Sequence, residues 1–177
     1  MSGPFEGLKV LELGRFIAVP VCGQLLAEGG ADVIKVEDLD GDQTRHNGPI
    51  MPFEGRQYFN KNRGKRSISV RITEPEVLAA IQKLAAAADI VLANFRPGMS
   101  ESLGLDYESV RAMNPRVIYG ENTAYGLEGP MAPLAGMDMA LMCDIRIAAR
   151  SARFAEAYIR AGLIPGNGGC YYLPRIV

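Results

Sequence analysis

An α/β fold, a parallel sheet covered by helices on both faces, is what this sequence predicts. Short apolar runs rich in strand formers recur along the first two thirds of the chain, and segments with helical spacing separate them. The first strand–helix–strand unit takes about thirty residues, the size of a right-handed crossover between parallel strands.

The first run, residues 8–13 (Leu-Lys-Val-Leu-Glu-Leu), reads as a strand closed by Gly14. From Pro20 to Gly29 the spacing of Val21, Gln24, Leu25 and Glu28 is helical. Pro20 suits a first turn and Gly29-Gly30 a stop. Residues 31–37 (Ala-Asp-Val-Ile-Lys-Val-Glu) form the second strand. The stretch 38–66 is polar and rich in Gly, Pro and Asn, so a long loop is expected there. Residues 67–72 read as a third strand. Thr73-Glu-Pro-Glu76 looks like a capping box for a helix whose Val77, Ile81, Leu84 and Ala88 share one face. A fourth strand follows at 89–95, a short helix at 106–113 and a fifth strand at 116–121. Five strands alternating with helices make the sheet Rossmann-like. Beyond Pro130 the pattern changes. Residues 136–143 are a Met-rich apolar helix candidate, 144–149 alternate like a strand, and 162–169 form a turn-rich loop.

Net charge is −1, which excludes a general electrostatic attraction to nucleic acid or membrane, so phosphate binding would need a local basic cluster. The cysteines, Cys22, Cys143 and Cys170, are too scattered for a metal site, and the single histidine, His46, makes a zinc centre or a Ser-His-Asp relay improbable. No bound metal is expected. Without a signal pattern or an apolar run of membrane-spanning length, the expectation is a cytoplasmic protein.

In a parallel sheet, ligands bind outside the carboxyl ends of the strands. The element order places three segments there: Gly14-Arg-Phe-Ile-Ala18, Asn94-Phe-Arg-Pro-Gly98 and Thr123-Ala-Tyr-Gly126. None is a GxGxxG fingerprint, so a dinucleotide has no specific support. Lys61, Arg63, Lys65 and Arg66 form the one dense basic cluster, suited to phosphates or simply to solvent. Phe95 beside Arg96 suits a purine ring or ordinary strand-end packing.

Ordered motifs carry a more specific reading. Phe5-Glu-Gly-Leu-Lys-Val-Leu-Glu-Leu-Gly14, Gly30-Ala-Asp-Val-Ile-Lys-Val-Glu37, Gly41-Asp42 and Arg45 come first. Tyr58-Phe-Asn, Asn62-Arg-Gly-Lys-Arg-Ser67, Asn94-Phe-Arg-Pro-Gly98, Asn114-Pro-Arg-Val-Ile118, Tyr125-Gly and Gly129-Pro130 follow. Together they resemble class III CoA-transferases, the formyl-CoA and carnitine CoA-transferase group, over residues 4–132. The resemblance implies a CoA-binding domain spanning 1–132, an interlocked homodimer, and coenzyme A or an acyl-CoA as substrate beside a small carboxylate, with no tightly bound cofactor. By motif position, CoA contacts would fall on Ala18, Arg71, Asn94, Phe95, Arg96 and Tyr125. Arg63 and Arg66 join them as candidate phosphate partners. Ile17 departs from the polar residue of some members. The family's nucleophilic aspartate belongs to a Gly-Asp motif farther along than Pro130, and residues 131–177 contain no Gly-Asp pair. The racemase branch's His-Asp pair is replaced by Met137-Asp138.

From Ala135 onward the chain resembles a different family, the crotonases (enoyl-CoA hydratases and isomerases). The carriers are Gly136-Met-Asp-Met-Ala-Leu-Met-Cys-Asp-Ile-Arg-Ile-Ala148, Ser151-Ala-Arg-Phe154 and Gly162-Leu-Ile-Pro-Gly-Asn-Gly-Gly169. The likeness implies a crotonase-like fragment over 135–177. Ala135 would hold an oxyanion-hole amide and Asp138 the first catalytic carboxylate, while Tyr158 stands where hydratases carry their second glutamate. Gly136-Met-Asp138 fits both families, so a join at that triplet accounts for the chain, whether natural, engineered or artefactual. Three functions remain open: a CoA-transferase lacking its aspartate, an enoyl-CoA hydratase or isomerase fragment, and a non-catalytic CoA-binding module. The fragment is expected to pack poorly without its usual neighbours.

Overall fold

The computed structural model describes residues 3–123 apart from Phe53. Asp138, Tyr125 and the expected crotonase-like elements, with their packing, lie outside the described residues.

Five strands, β1 (Lys9–Leu13), β2 (Asp32–Glu37), β5 (Arg66–Ser69), β6 (Ile90–Ala93) and β7 (Ile118–Glu121), form one sheet in the order β5-β2-β1-β6-β7. Every pairing is parallel. The chain builds outward from β1 through β2 to β5, then returns to the other side of β1 with β6 and β7. The order therefore reverses between β1 and β6, which is where such sheets open a crevice at their carboxyl edge. The expected α/β, Rossmann-like sheet with flanking helices is the architecture observed.

Alternation along the strands divides the core in two. Leu11, Leu13, Val91 and Ala93 face α3 (Pro75–Ala87) and α5 (Tyr107–Met113), meeting Ile81, Ala85, Leu105 and Val110. Val10, Val33, Ile90 and Leu92 face α1 (Ala18–Glu28), meeting Val19 and Ala31. Strands covered on both faces are apolar in nearly every position. Glu12 and Lys35 break that rule: they are cross-strand partners on β1 and β2, and both are fully buried.

The expected long loop at 38–66 holds regular structure. It contains a 3-10 turn (Gln43–His46), a hairpin of β3 (Pro49–Met51) and β4 (Glu54–Gly55), and α2 (Arg56–Asn62). The helix has no apolar period to announce it. Its buried residues are Tyr58 and Asn62, both anchored by hydrogen bonds. The expected capping box at Thr73 is not formed either. The N-cap is Glu74 without a side-chain bond, and Pro75 supplies the first helical position. A single further turn, α4 (Met99–Ser102), follows β6. No helix among the described residues is long and apolar enough to cross a membrane.

Candidate functional site

At the carboxyl edge, β1 and β6 diverge toward opposite faces of the sheet. Leu13 and Ala93 are the last paired residues. One step on, the Asn94 side chain replaces the missing strand pairing. Its Oδ1 accepts from the Arg15 amide at 2.9 Å, and its Nδ2 donates to the Arg15 carbonyl at 2.8 Å. The loop so held turns through Phe16 at φ 67°, a left-handed conformation unusual for a bulky residue. Helix α1 then begins at Ala18 behind an N-cap, Ile17, that makes no side-chain cap. The Ala18 and Val19 amides, the N–H groups of the first turn ahead of Pro20, receive no side-chain cap, an arrangement suited to an anion.

Leu13, Val36, Ile72 and Phe95 floor a shallow cleft beside this loop, with Arg15, Glu37 and Asp38 at its margin. Arg15 pairs with Asp38 at 2.7 Å, both about half exposed. Arg96 is exposed and has no carboxylate partner among the described residues. Arg71, just past β5, is exposed and lies 3.7 Å from Glu74. The structure therefore gathers Ala18, Arg71, Asn94, Phe95 and Arg96 at the carboxyl end of the sheet.

The basic cluster lies elsewhere. Arg66 opens β5 at the amino end of the sheet and donates two hydrogen bonds to the Asp32 carboxylate at 2.8 and 2.6 Å. Arg63 follows α2 and meets Glu28, the last residue of α1, at 2.7 Å. Both occupy the end opposite Asn94. Lys65 is no surface cation: its side chain is 1% exposed and bonds Glu12, Asn62 and the Pro20 carbonyl. Lys61 binds Gln57 on its own helix.

Beneath α1 and α2, many of the recurring motif residues form a buried polar network that the strand pattern does not reveal. Lys35 Nζ lies 3.0 Å from Glu12 Oε1, 3.0 Å from Asp42 Oδ2 and 2.6 Å from the Gly14 carbonyl. Lys65 closes the set at 2.7 Å from Glu12 Oε2, so two lysines balance two carboxylates. Beside it, Glu37 takes a two-pronged contact from Arg45 at 2.8 Å and 2.8 Å. It also accepts from the Tyr58 hydroxyl at 2.6 Å, the Asp42 amide at 2.7 Å and Ser67. The Arg45 guanidinium stacks 3.6 Å from the centre of the Tyr58 ring. Burial alone would raise the Glu37 carboxyl, but Arg45, Ser67, Tyr58 and the Asp42 amide outweigh it and hold it at about 2. Asp42 is likewise lowered, with Lys35 and Thr44 overcoming its burial. The legible clue was a charged residue set inside each of two apolar strand runs.

Gly23 lets α1 sit over this network. A Cβ there would lie 1.9 Å from Glu12 Oε2 and 3.3 Å from Lys65 Cε. Gly23→Ala must push the carboxylate off its lysine. Overpacking costs about 1–3 kcal/mol, against roughly 1 kcal/mol of helix propensity that alanine returns. Thermal unfolding should therefore show a Tm lower by a few degrees; an unchanged or higher Tm would mean the network yields freely.

The comparisons with known proteins identify this architecture. The model of CoA-transferase family III matches residues 5–149. The chain belongs to CoA-transferase family III. It is 44% identical over 143 residues to succinate–glutarate CoA-transferase of Agrobacterium fabrum, covering 76% of this chain and 36% of that protein. It is 42% identical to human succinyl-CoA:glutarate CoA-transferase, covering 76% and 31%. The crystal structure of a CAIB/BAIF family protein from Brucella suis matches with a TM-score of 0.73 at 36% identity, covering 99% of this chain and 48% of that one. The chain thus spans about a third of the length of these curated CoA-transferase relatives. A second family model, enoyl-CoA hydratase/isomerase, matches residues 129–177, outside the described residues.

Proposed function

We propose that this family III domain binds the CoA portion of an acyl-CoA at the carboxyl edge of its sheet. The observation that carries the proposal is the placement of the uncapped start of α1, Phe95 and the exposed Arg96 at the carboxyl edge of one sheet, in a chain of this family. Arg96 and Arg71 neutralise phosphates, Phe95 offers its ring to the adenine, and the backbone at Ala18 contributes amides. By motif position Tyr125, outside the described residues, would be a further CoA contact. Arg63 and Arg66, each paired with an acid at the amino end, are left outside it.

The human relative is named for transfer between succinyl-CoA and glutarate, so an acyl-CoA and a small carboxylate are the substrate classes proposed for the complete reaction. That transfer needs a carboxylate nucleophile able to carry an acyl group. We propose that residues 1–132 are the CoA-binding domain and that 135–177, following a crotonase-like pattern, do not bring the nucleophile. Asp138 is then a carboxylate without its catalytic partners, and a homodimer of this chain would bind acyl-CoA without turning it over. The second reading, an enoyl-CoA hydratase or isomerase, rests on the match over 129–177.

Calorimetry with CoA is expected to show weak binding. Arg96→Ala should weaken it about tenfold, as loss of a charge-assisted phosphate contact does. The double variant Arg63→Ala with Arg66→Ala should leave it unchanged. Absence of binding, or an effect confined to the second variant, would remove the carboxyl-edge assignment. Assays with succinyl-CoA plus glutarate, formyl-CoA plus oxalate, and crotonyl-CoA should stay at background. Turnover of a transferase pair would restore a catalytic nucleophile to this chain, and turnover of crotonyl-CoA would favour the hydratase reading.

A further inference from the structure

We propose that Asn94 is a positioning residue. Its side-chain amide holds the loop Gly14–Ile17 in the conformation that exposes the start of α1, and does not itself touch the ligand. The inference rests on the CoA-binding reading above and deepens it.

Three observations on one loop carry it. Both polar ends of the Asn94 amide are engaged with a single residue, accepting from the Arg15 amide at 2.9 Å and donating to the Arg15 carbonyl at 2.8 Å. A planar amide bonded to both the N–H and the carbonyl of one residue commits one donor and one acceptor site to holding that residue's backbone. The next residue, Phe16, sits at φ 67°. Left-handed backbone costs a bulky side chain free energy and persists only where the surroundings impose it. Third, no side chain caps α1. The loop therefore lacks the usual device that fixes a helix entry, and the Asn94 clamp stands in its place. Releasing the clamp lets Phe16 relax to negative φ, which reorients the Ile17 and Ala18 amides.

The coupling between Asn94 and Phe16 separates this role from direct contact. Glycine adopts positive φ without strain, so Phe16→Gly should keep the loop near its binding conformation even without the clamp. Asn94→Ala is expected to weaken CoA binding about tenfold in the native background, and less than about threefold when Phe16→Gly is already present. The Phe16→Gly single variant supplies the baseline for any contact its ring makes. Hydrogen exchange gives a ligand-free readout: Arg15 amide exchange should accelerate in Asn94→Ala, while exchange in the centre of β6 stays as it was. Equal losses of affinity in both backgrounds would make Asn94 a direct contact and overturn the proposal, as would unaltered Arg15 exchange. If the native chain binds no CoA, the functional reading fails, and accelerated Arg15 exchange would still establish the clamp.

Discussion

Lys35→Met is expected to destabilise the domain by on the order of 3–5 kcal/mol, the usual effect of removing one partner from a buried ion pair. Methionine fits the space of the lysine stem, so the loss comes from charge. Lys35 is fully buried and lies within 3.0 Å of both Glu12 and Asp42. Without it, two buried carboxylates face Lys65 alone. Domains of this size have about 5–15 kcal/mol in hand, so the variant should unfold at a much lower urea midpoint. Removing a negative charge as well, with Glu12→Gln, leaves one lysine and one carboxylate and should recover part of the loss. A Lys35→Met variant within about 1 kcal/mol of the native protein would mean that water reaches the network, since exposed pairs are worth no more than that.

The same lysine ties stability to the candidate site. Its Nζ donates to the Gly14 carbonyl at 2.6 Å, at the start of the loop that Asn94 clamps from the other side. Gly14 itself packs against Val19 so closely that a Cβ would fall 2.0 Å from its Cγ1. The loop is fixed by a buried cation below, a side-chain amide beside it and a helix against its first residue. The conformation of this loop at the carboxyl edge is therefore set by residues outside the loop itself.

The sheet was legible because parallel strands buried on both faces write a local signal. The apolar runs at β1, β2 and β6 fall within a residue or two of their positions in the structure, and strand–helix alternation leaves little freedom in topology. The region 38–66 was not legible, because its order comes from non-local polar contacts. Tyr58 is held by Glu37 and Arg45, and Arg45 also reaches Glu54. No periodicity encodes such contacts. The loops at 14–18 and 94–98 were placed at the carboxyl edge by topology alone, while the basic run 61–66 read along the chain as one cluster, suited to phosphates or to solvent. Distance in space decided otherwise. Lys65 turns inward to Glu12, and Arg63 and Arg66 end beside acids at the far end of the sheet. A charge count along the sequence cannot distinguish a cation aimed at solvent from one balancing a buried carboxylate.

The second large effect is acid sensitivity centred on Glu37. Its carboxyl is held at about 2 in the fold, below its ordinary value of 4.5, despite burial that opposes ionisation. A depressed carboxyl pKa contributes stability that is fully present above the unfolded value and is lost as pH falls toward the folded one. The window is therefore pH 4.5 down to about 2, and the shift corresponds to on the order of 3 kcal/mol. Asp42 is shifted in the same direction and steepens the loss. Glu37→Gln removes the titrating group and the two-pronged carboxylate contact of Arg45, which still lies beside Glu54. At pH 7 the variant should be less stable by on the order of 3 kcal/mol, since a half-buried guanidinium loses its main counter-charge. Between pH 4.5 and 2.5, urea unfolding should show a steep decline for the native protein and a shallower one for the variant. Parallel declines would place the acid sensitivity elsewhere, with Asp42 the next carboxylate to replace.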